Sequence, residues 1–127
     1  MFASMNYISH RGVHHSHKEN TLPAFEEAVG NGFDYVEFDI RILADGNLVI
    51  SHNSKIKGIL LRSIDLKTLR AIDPDVPLFE DVLKNIGSRV MLDIELKEEG
   101  YEGEVMALAH KYINESQYMI TSFNARS

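Results

Sequence analysis

The sequence predicts an α/β fold in which strands and helices alternate around a largely parallel sheet. Short runs of alternating apolar and polar residues, typical of strands, are separated by stretches with apolar residues every three or four positions, typical of helices. The connections contain no linker, low-complexity tract or repeat. This order of elements is typical of βα units. We therefore predict one domain, or a piece of one, over residues 1–127.

The first βα unit is predicted near the N-terminus. Residues 6–9 have the character of a short buried strand and lead into His10-Arg11-Gly12. A helix is predicted from Asn20 or Thr21, because both residue types cap helices well and Pro23 is tolerated in a first turn. The apolar stripe of this helix consists of Leu22, Phe25, Ala28 and Val29.

Residues 35–52 are predicted to form a strand, a tight turn and a second strand. Asp45-Gly46 is a strong turn signal, and if these two residues form the turn, Asp39 lies opposite His52. The short connection favours an antiparallel pair, whereas a regular barrel requires a parallel one, and either direction brings His52 near Asp39. Taken alone, the stretch also fits an edge hairpin with a solvated face. That polar face carries Glu37, Asp39 and Arg41.

The rest of the chain continues the alternation of strands and helices. No regular element is predicted between His52 and about Arg62, after which Asp65 caps a short helix. The later predicted elements are a helix opened by Pro77 and ended by Gly87, a strand over Val90–Lys97, a helix that continues to about Ile113 with Tyr112 buried, and a strand over Tyr118–Ser122.

Composition excludes several classes of protein. The net charge of −6 argues against nucleic acid as a partner. The absence of cysteine excludes disulfides, thiolate zinc sites and cysteine nucleophiles. The sequence has no transmembrane segment and no recognisable secretion signal at its N-terminus, so we expect a cytoplasmic protein.

Polar groups collect where the predicted strands end. In parallel α/β folds, ligands bind beyond the carboxyl ends of the strands. Five predicted strands each bring a polar group to this edge, which is more than a solvated sheet face explains. The residues are His10 with Arg11, Glu37 with Asp39, His52, Glu95 with Lys97, and Ser122.

Acidic and basic residues at this edge suit a phosphate ester bound through a metal ion. Glu37, Asp39 and Glu95 offer the oxygen ligands that Mg²⁺ or Ca²⁺ prefers. Arg11 and Lys97 supply the positive charge that suits a phosphate.

Two histidines add acid–base chemistry to this set. His10 and His52 could act as base and acid on opposite sides of a reacting centre. Phosphodiester hydrolysis needs such groups, because charge that grows on the phosphoryl oxygens must be stabilised and the leaving alcohol must receive a proton.

Seven short motifs follow one another from about Ile8 to Phe123, nearly the whole chain. None is decisive alone, but their order and spacing are specific. The motifs are His10-Arg11-Gly12, Glu19-Asn20-Thr21 with Ala24-Phe25, Glu37-Phe38-Asp39, Asp45-Gly46 with Val49-Ile50-Ser51-His52, Pro77-Leu78-Phe79-Glu80-Asp81-Val82-Leu83, Ile94-Glu95-Leu96-Lys97, and Ser122-Phe123. With them the chain resembles the glycerophosphodiester phosphodiesterases.

The resemblance implies a TIM-type (β/α) barrel, of which this chain is the N-terminal part with about the first five strands. The implied reaction is hydrolysis of a small-molecule glycerophosphodiester to an alcohol and glycerol 3-phosphate, a step of glycerol and lipid metabolism. The implied site residues are Glu37, Asp39 and Glu95 for a divalent metal ion (Mg²⁺ or Ca²⁺), His10 and His52 as the acid/base pair, and Arg11 and Lys97 for the phosphate.

The chain departs from the family pattern in detail and in length. Asn53 stands where the family usually has Asp, and the segment after His52 is short. A full barrel needs about 250 residues and eight strands. A half-barrel leaves two open edges and apolar inner faces, so we expect self-association through the open barrel edges. The alternative is a non-catalytic truncated relative that acts as a phosphate-binding or interaction module.

Overall fold

The sheet of this protein is organised around its second strand. The computed structural model describes the backbone of residues 8–10 and 20–122 and the side chains of residues 20–121. The elements are β1 (Ile8–His10), α1 (Leu22–Gly30), β2 (Tyr35–Ile42), β3 (Leu48–Ile50), β4 (Lys55–Ile56), β5 (Ile59–Leu60), a 3₁₀ turn (Leu61–Ser63), α2 (Leu66–Ile72), α3 (Phe79–Ile86), β6 (Met91–Leu96), α4 (Glu102–His110), a second 3₁₀ turn (Glu115–Gln117) and β7 (Tyr118–Ser122).

Four parallel strands lie side by side in the order β1, β2, β6, β7. Helices connect successive parallel strands, as in a (β/α) barrel. The fifth strand of the sheet, β3, pairs antiparallel with the end of β2. The α/β architecture and the five-stranded sheet of a partial barrel are therefore as predicted, and the antiparallel direction of β3 is the one that its short connection favoured.

Apolar side chains on one face of the sheet pack against the helices. Val36, Phe38 and Ile40 of β2 are fully buried. The ring of Phe38 lies between those of Phe25 from α1 and Phe79 from α3, with centroid distances of 5.6 and 6.0 Å. This core holds β2 and β6 firmly against the helices, so the opposite face of the same strands is presented in a defined geometry.

The face turned away from the helices is charged, and the expectation of apolar inner faces is wrong. Glu37 and Asp39 of β2 lie there because they alternate with residues that pack on the helices. The face is not solvated either, since Glu37, Asp39 and Arg41 are only 5%, 1% and 8% exposed. Buried charges of this kind need partners or ligands.

The loop between β2 and β3 is one residue longer than the predicted turn. Residues 44–46 form a three-residue loop, and Gly46 at its end has φ +87°, the left-handed conformation that such loops use. The predicted register is therefore wrong by one residue. Asp39 lies opposite Ser51, whose N–H donates to the Asp39 carbonyl at 3.0 Å, and His52 is the next residue along.

The predicted helices are present, with shifted ends. Asp65 caps α2 by accepting the N–H of the third helical residue at 2.8 Å. The helix after Pro77 begins at Phe79, and α4 ends at His110. Tyr112 therefore lies beyond the helix and is 37% exposed, so the prediction that it is buried is wrong. No helix within the described ranges has the length and apolar character needed to cross a bilayer.

A short hairpin, β4–β5, occupies the segment in which no element was predicted. Lys57 and Gly58 form its turn, with φ values of 49° and 81°. Positive φ at both positions is the conformation of a two-residue type I′ turn. The hairpin packs through Ile56 against the buried side chain of Leu61 and its neighbours, which places the segment beside His52.

Candidate active site

Two neighbouring parallel strands bring three carboxylates together on the charged face. Glu37 and Asp39 are separated by one residue on β2, and Asp39 lies opposite Glu95 in the register of β2 with β6. One carboxylate oxygen from each of the three residues lies within 4.8 Å of the other two. The three acids that were predicted to share a metal ion are therefore adjacent in the structure.

Lys97 extends from the end of β6 into the same cluster. Its Nζ lies 2.5 Å from Oε2 of Glu95 and 3.7 Å from Oδ1 of Asp39. The side chain is 18% exposed, so the ammonium group reaches the acids from the open side of the cluster. This position places a positive charge beside the carboxylates and offsets part of their negative charge.

His52 meets the cluster from the other side of β2. Its Nδ1 lies 3.4 Å from Oδ2 of Asp39, and its side chain is 35% exposed. The carboxylate of Asp39 thus faces both Lys97 and His52. A carboxylate on Nδ1 favours the imidazole form in which the other ring nitrogen, Nε2, is available to exchange a proton.

The remaining predicted site residues lie at the margins of the described structure. His10 is the last residue of β1, and its backbone is paired in register with Glu37, one of the three acids. Its side chain lies outside the described part of the chain, as do Arg11 and the side chain of Ser122.

Arg41 is a buried charged residue to which the sequence analysis assigned no role. Its Nη1 donates to Oε2 of Glu98 at 3.0 Å, and its Nη2 donates to the backbone carbonyl of His52 at 2.6 Å. Glu98 also lies 3.7 Å from Nη1 of Arg62. The only signal in the sequence was the position of Arg41 on the polar face of β2, and nothing local indicated that its partner lies 57 residues away.

Tyr101 forms a hydrogen bond with the residue of β2 that precedes Arg41. Its hydroxyl donates to the carbonyl of Ile40 at 2.6 Å, and the residue is fully buried. Burial, with a smaller contribution from the negative charge of Glu98, raises the pKa of Tyr101 to about 12. The hydroxyl therefore remains a hydrogen-bond donor to β2 over the ordinary pH range.

The carboxylate cluster fits a hard divalent cation. Counted as formal charges, its three acids and Lys97 together give −2, which leaves negative charge for a cation to neutralise. The cluster is shielded from water, since the side chains of Asp39 and Glu95 are 2% and 13% exposed. Oxygen donors alone at this spacing suit Mg²⁺ or Ca²⁺ better than metals that prefer sulfur or nitrogen ligands.

A cavity of about 370 Å³ opens beside His52. Its walls come from the segment after β3, from the β4–β5 hairpin, and from the loop between α2 and α3. The polar residues lining it include Ser51, Asn53, Lys55, Lys57, Asp73 and Asp75. Asn53, the residue that departs from the family pattern, thus faces open space next to the histidine.

Fold and site together define a (β/α)-barrel protein with an acidic site toward the carboxyl ends of its strands. A model of the glycerophosphoryl diester phosphodiesterase family matches residues 10–126. The chain belongs to this family, as its motifs indicated.

Two known proteins similar to this chain are named glycerophosphodiester phosphodiesterase. A glycerophosphodiester phosphodiesterase of Bacillus altitudinis is 29% identical over 141 residues, which cover 92% of this chain and 57% of the relative. The crystal structure of glycerophosphodiester phosphodiesterase from Thermotoga maritima superposes with a TM-score of 0.86 at 27% identity, covering 96% of this chain and 56% of that one.

A third similar protein was solved with a small molecule bound. It is a phosphodiesterase of Oleispira antarctica in complex with the product sn-glycerol-3-phosphate, with a TM-score of 0.82, 25% identity, and coverage of 94% of this chain and 58% of that one. The chain therefore spans somewhat more than half the length of the relatives it matches.

Proposed function

We propose that the protein acts on glycerophosphodiesters, which it hydrolyses to an alcohol and glycerol 3-phosphate with the help of a divalent cation. The observation that carries this proposal is the convergence of three carboxylates within 4.8 Å, two of them buried, with Lys97 and His52 both in contact with Asp39. Family membership supports it, and so does the complex of the Oleispira antarctica relative with glycerol 3-phosphate.

In this proposal Glu37, Asp39 and Glu95 hold Mg²⁺ or Ca²⁺. A cation bound there supplies positive charge to the phosphoryl oxygens, where negative charge grows in the transition state. Lys97 lies within reach of the same carboxylates and contacts the phosphate together with Arg11, the residue that follows His10 in the sequence. Together these groups orient the ester and offset its charge.

His52 and His10 are the proposed acid/base pair. Nδ1 of His52 lies 3.4 Å from Oδ2 of Asp39, and in this proposal Nε2 faces the substrate and transfers the proton that accompanies cleavage. His10 is the last residue of the neighbouring strand β1 and is paired with Glu37. Two imidazoles on opposite sides of the phosphate would let one activate water while the other protonates the leaving alcohol.

We also propose that residues 1–127 form the N-terminal part of a barrel domain and that the open edges of this part associate with a second copy. The basis for the second proposal is β7, which pairs with β6 on one side and has no strand on its other side within the described residues. An edge of this kind offers unpaired backbone groups to another chain.

The test combines cation binding with hydrolysis of glycerophosphocholine by the full chain. We expect Mg²⁺ or Ca²⁺ to raise the melting temperature, because a ligand present at about 100 times its Kd adds about 2.7 kcal/mol to the free energy of unfolding. His52→Ala should lower kcat by about 10²- to 10⁴-fold, the usual contribution of an acid–base catalyst. Release of glycerol 3-phosphate is the measurement.

His110→Ala is the matched control, since His110 is an exposed histidine on α4 that bonds only the hydroxyl of Tyr118 among the described residues. It should hydrolyse the substrate like the unaltered chain. A chain that shows neither a thermal shift with either ion nor any hydrolysis would contradict the proposal and favour the non-catalytic phosphate-binding or interaction module.

A further inference from the structure

The backbone that carries His52 lies just beyond the regular part of the sheet. The last hydrogen bond between β2 and the returning chain is donated by the N–H of Ser51 to the carbonyl of Asp39, at 3.0 Å. The strand β3 itself ends at Ile50. His52 is therefore not held by the ladder, although its ring must be directed at a defined point of the site.

A side chain takes the place of the ladder at this position. The carbonyl oxygen of His52 accepts a hydrogen bond of 2.6 Å from Nη2 of Arg41. Arg41 belongs to the regular strand β2, two residues after Asp39, and is 8% exposed. The guanidinium group thus connects the rigid centre of the sheet to the backbone of the predicted catalytic histidine.

Arg41 is itself held in place by an ion pair. Its other terminal nitrogen, Nη1, donates to Oε2 of Glu98 at 3.0 Å. Glu98, 22% exposed, follows β6 and also lies 3.7 Å from Nη1 of Arg62. Because the guanidinium group is planar, the bond to Glu98 determines the direction in which Nη2 points at His52.

We infer that Arg41 is a positioning residue for His52, with Glu98 as its anchor. The inference rests on the proposed function, because His52 needs an exact position only if it transfers a proton. In this arrangement the two terminal nitrogens of Arg41 donate to Glu98 and to the His52 backbone. Its task is to keep the imidazole where Asp39 and the substrate can both be reached.

Lysine does not reproduce this arrangement, because its single ammonium nitrogen cannot occupy the separate positions of Nη1 and Nη2 in the planar guanidinium group. We expect Arg41→Lys to lower kcat by about 10- to 100-fold, the effect of displacing a catalytic group by about 1 Å. KM should change by less than about threefold and the Mg²⁺ concentration for half-maximal thermal shift should not change, since the metal-binding acids remain intact.

Glu98→Gln tests the same idea with less disturbance, because it keeps the size of the side chain and removes its charge. It should lower kcat in the same direction but by a smaller factor. Arg89→Lys is the matched control, since Arg89 forms an ion pair with Glu26 on the surface. Its kcat and KM should equal those of the unaltered chain.

A measurement that does not depend on activity is the ¹³C shift of the His52 carbonyl carbon. Loss of the guanidinium hydrogen bond should move this signal in Arg41→Lys and leave it in place in Arg89→Lys. If Arg41→Lys does not fold, Glu98→Gln decides the question through the same signal and through kcat.

The outcomes separate this inference from the proposed function. An active enzyme in which Arg41→Lys and Glu98→Gln keep normal kcat, or in which the His52 carbonyl signal does not move, overturns the positioning role alone. An unaltered chain without hydrolysis overturns the proposed function and the inference that rests on it. A fall in kcat together with a shifted carbonyl signal and constant KM supports both.

Discussion

At the proposed site, the positive charge of Lys97 would oppose the binding of a metal ion and favour the binding of a phosphate. Its ammonium group lies 2.5 Å from Oε2 of Glu95 and 3.7 Å from Oδ1 of Asp39, and it partly neutralises the carboxylate cluster. A divalent cation bound to the same carboxylates would be repelled by this positive charge. At the proposed site, the residue would therefore weaken cation binding while it supplies charge for the phosphate.

Lys97→Met should bind Mg²⁺ or Ca²⁺ about tenfold more tightly, because a unit charge a few ångströms from the ion is removed at partial burial. Titration calorimetry of the folded chain measures this. Lys84→Met, an exposed lysine on α3, is the control and should leave the affinity unchanged. Weaker binding in Lys97→Met would mean that the lysine organises the acids for the ion rather than competing with it.

Among the elements, the β2–β3 loop and helix α2 are joined by one carboxylate. Asp45 accepts the N–H of Leu66 at 2.9 Å through Oδ2 and the N–H of Asn47 at 3.1 Å through Oδ1. The bond from Leu66 is the largest cause and outweighs the opposing effect of desolvation, and with the further bonds from Asn47 it lowers the pKa of Asp45 below its ordinary value of 3.8. The loop that follows β2 is thus connected to α2 by a charge-assisted hydrogen bond.

The hydrogen bond from Leu66 to Asp45 should make a contribution to stability that is lost in acid. Because the pKa of Asp45 is lower in the folded chain than in the unfolded chain, the contribution is fully present above pH 3.8 and is lost as the pH falls through the lowered pKa. Asp45→Asn should therefore lose less stability than the unaltered chain as the pH falls from about 5 through the lowered pKa of Asp45. The urea midpoint measured across this range checks the prediction.

Glu104→Gln is the control for this comparison, since it removes the same charge from an exposed position on α4. Its urea midpoint should fall with acid as steeply as that of the unaltered chain. If Asp45→Asn follows the same curve, the hydrogen bond from Leu66 contributes nothing measurable to stability.

At the scale of the whole molecule, the strand order of the sheet ends within the described residues at β7, and this edge strand has an exposed apolar side chain. Ile120 of β7 packs against the core, whereas Met119, on the other face, is 41% exposed. Met119 is paired in register with Asp93, so it belongs to the charged face of the sheet. An apolar residue on an edge strand favours pairing with another strand.

We expect the 127-residue chain to self-associate in a concentration-dependent way, as measured by sedimentation equilibrium. Met119→Lys should shift the equilibrium toward the monomer, because charge on an edge strand opposes pairing. Met106→Lys is the control, since Met106 is equally exposed, at 43%, but lies on α4. Monomers at every concentration would show that the edge of β7 does not mediate contact between copies.

Features of the fold that depend on neighbouring residues were predicted from the sequence, whereas features that depend on distant contacts were not. The helix cap at Asp65 and the alternation along β2 were predicted, because both depend on residues within a few positions of each other. The register of β3 was not, since the Asp45-Gly46 signal fits both a two-residue and a three-residue loop. The extent of α4 was missed in the same way, because the end of a helix depends on what its last turn packs against.

The amino-acid sequence by itself determined the α/β class, the family, and the two residues, Glu37 and Asp39, that one strand presents on a single face. The tertiary structure decided which partners these acids meet. The parallel register of β2 with β6 brings Glu95 to Asp39, and the same packing brings Glu98 to Arg41 across 57 residues of chain. Such contacts arise from the burial of the apolar face against the helices, and no local pattern in the sequence encodes them.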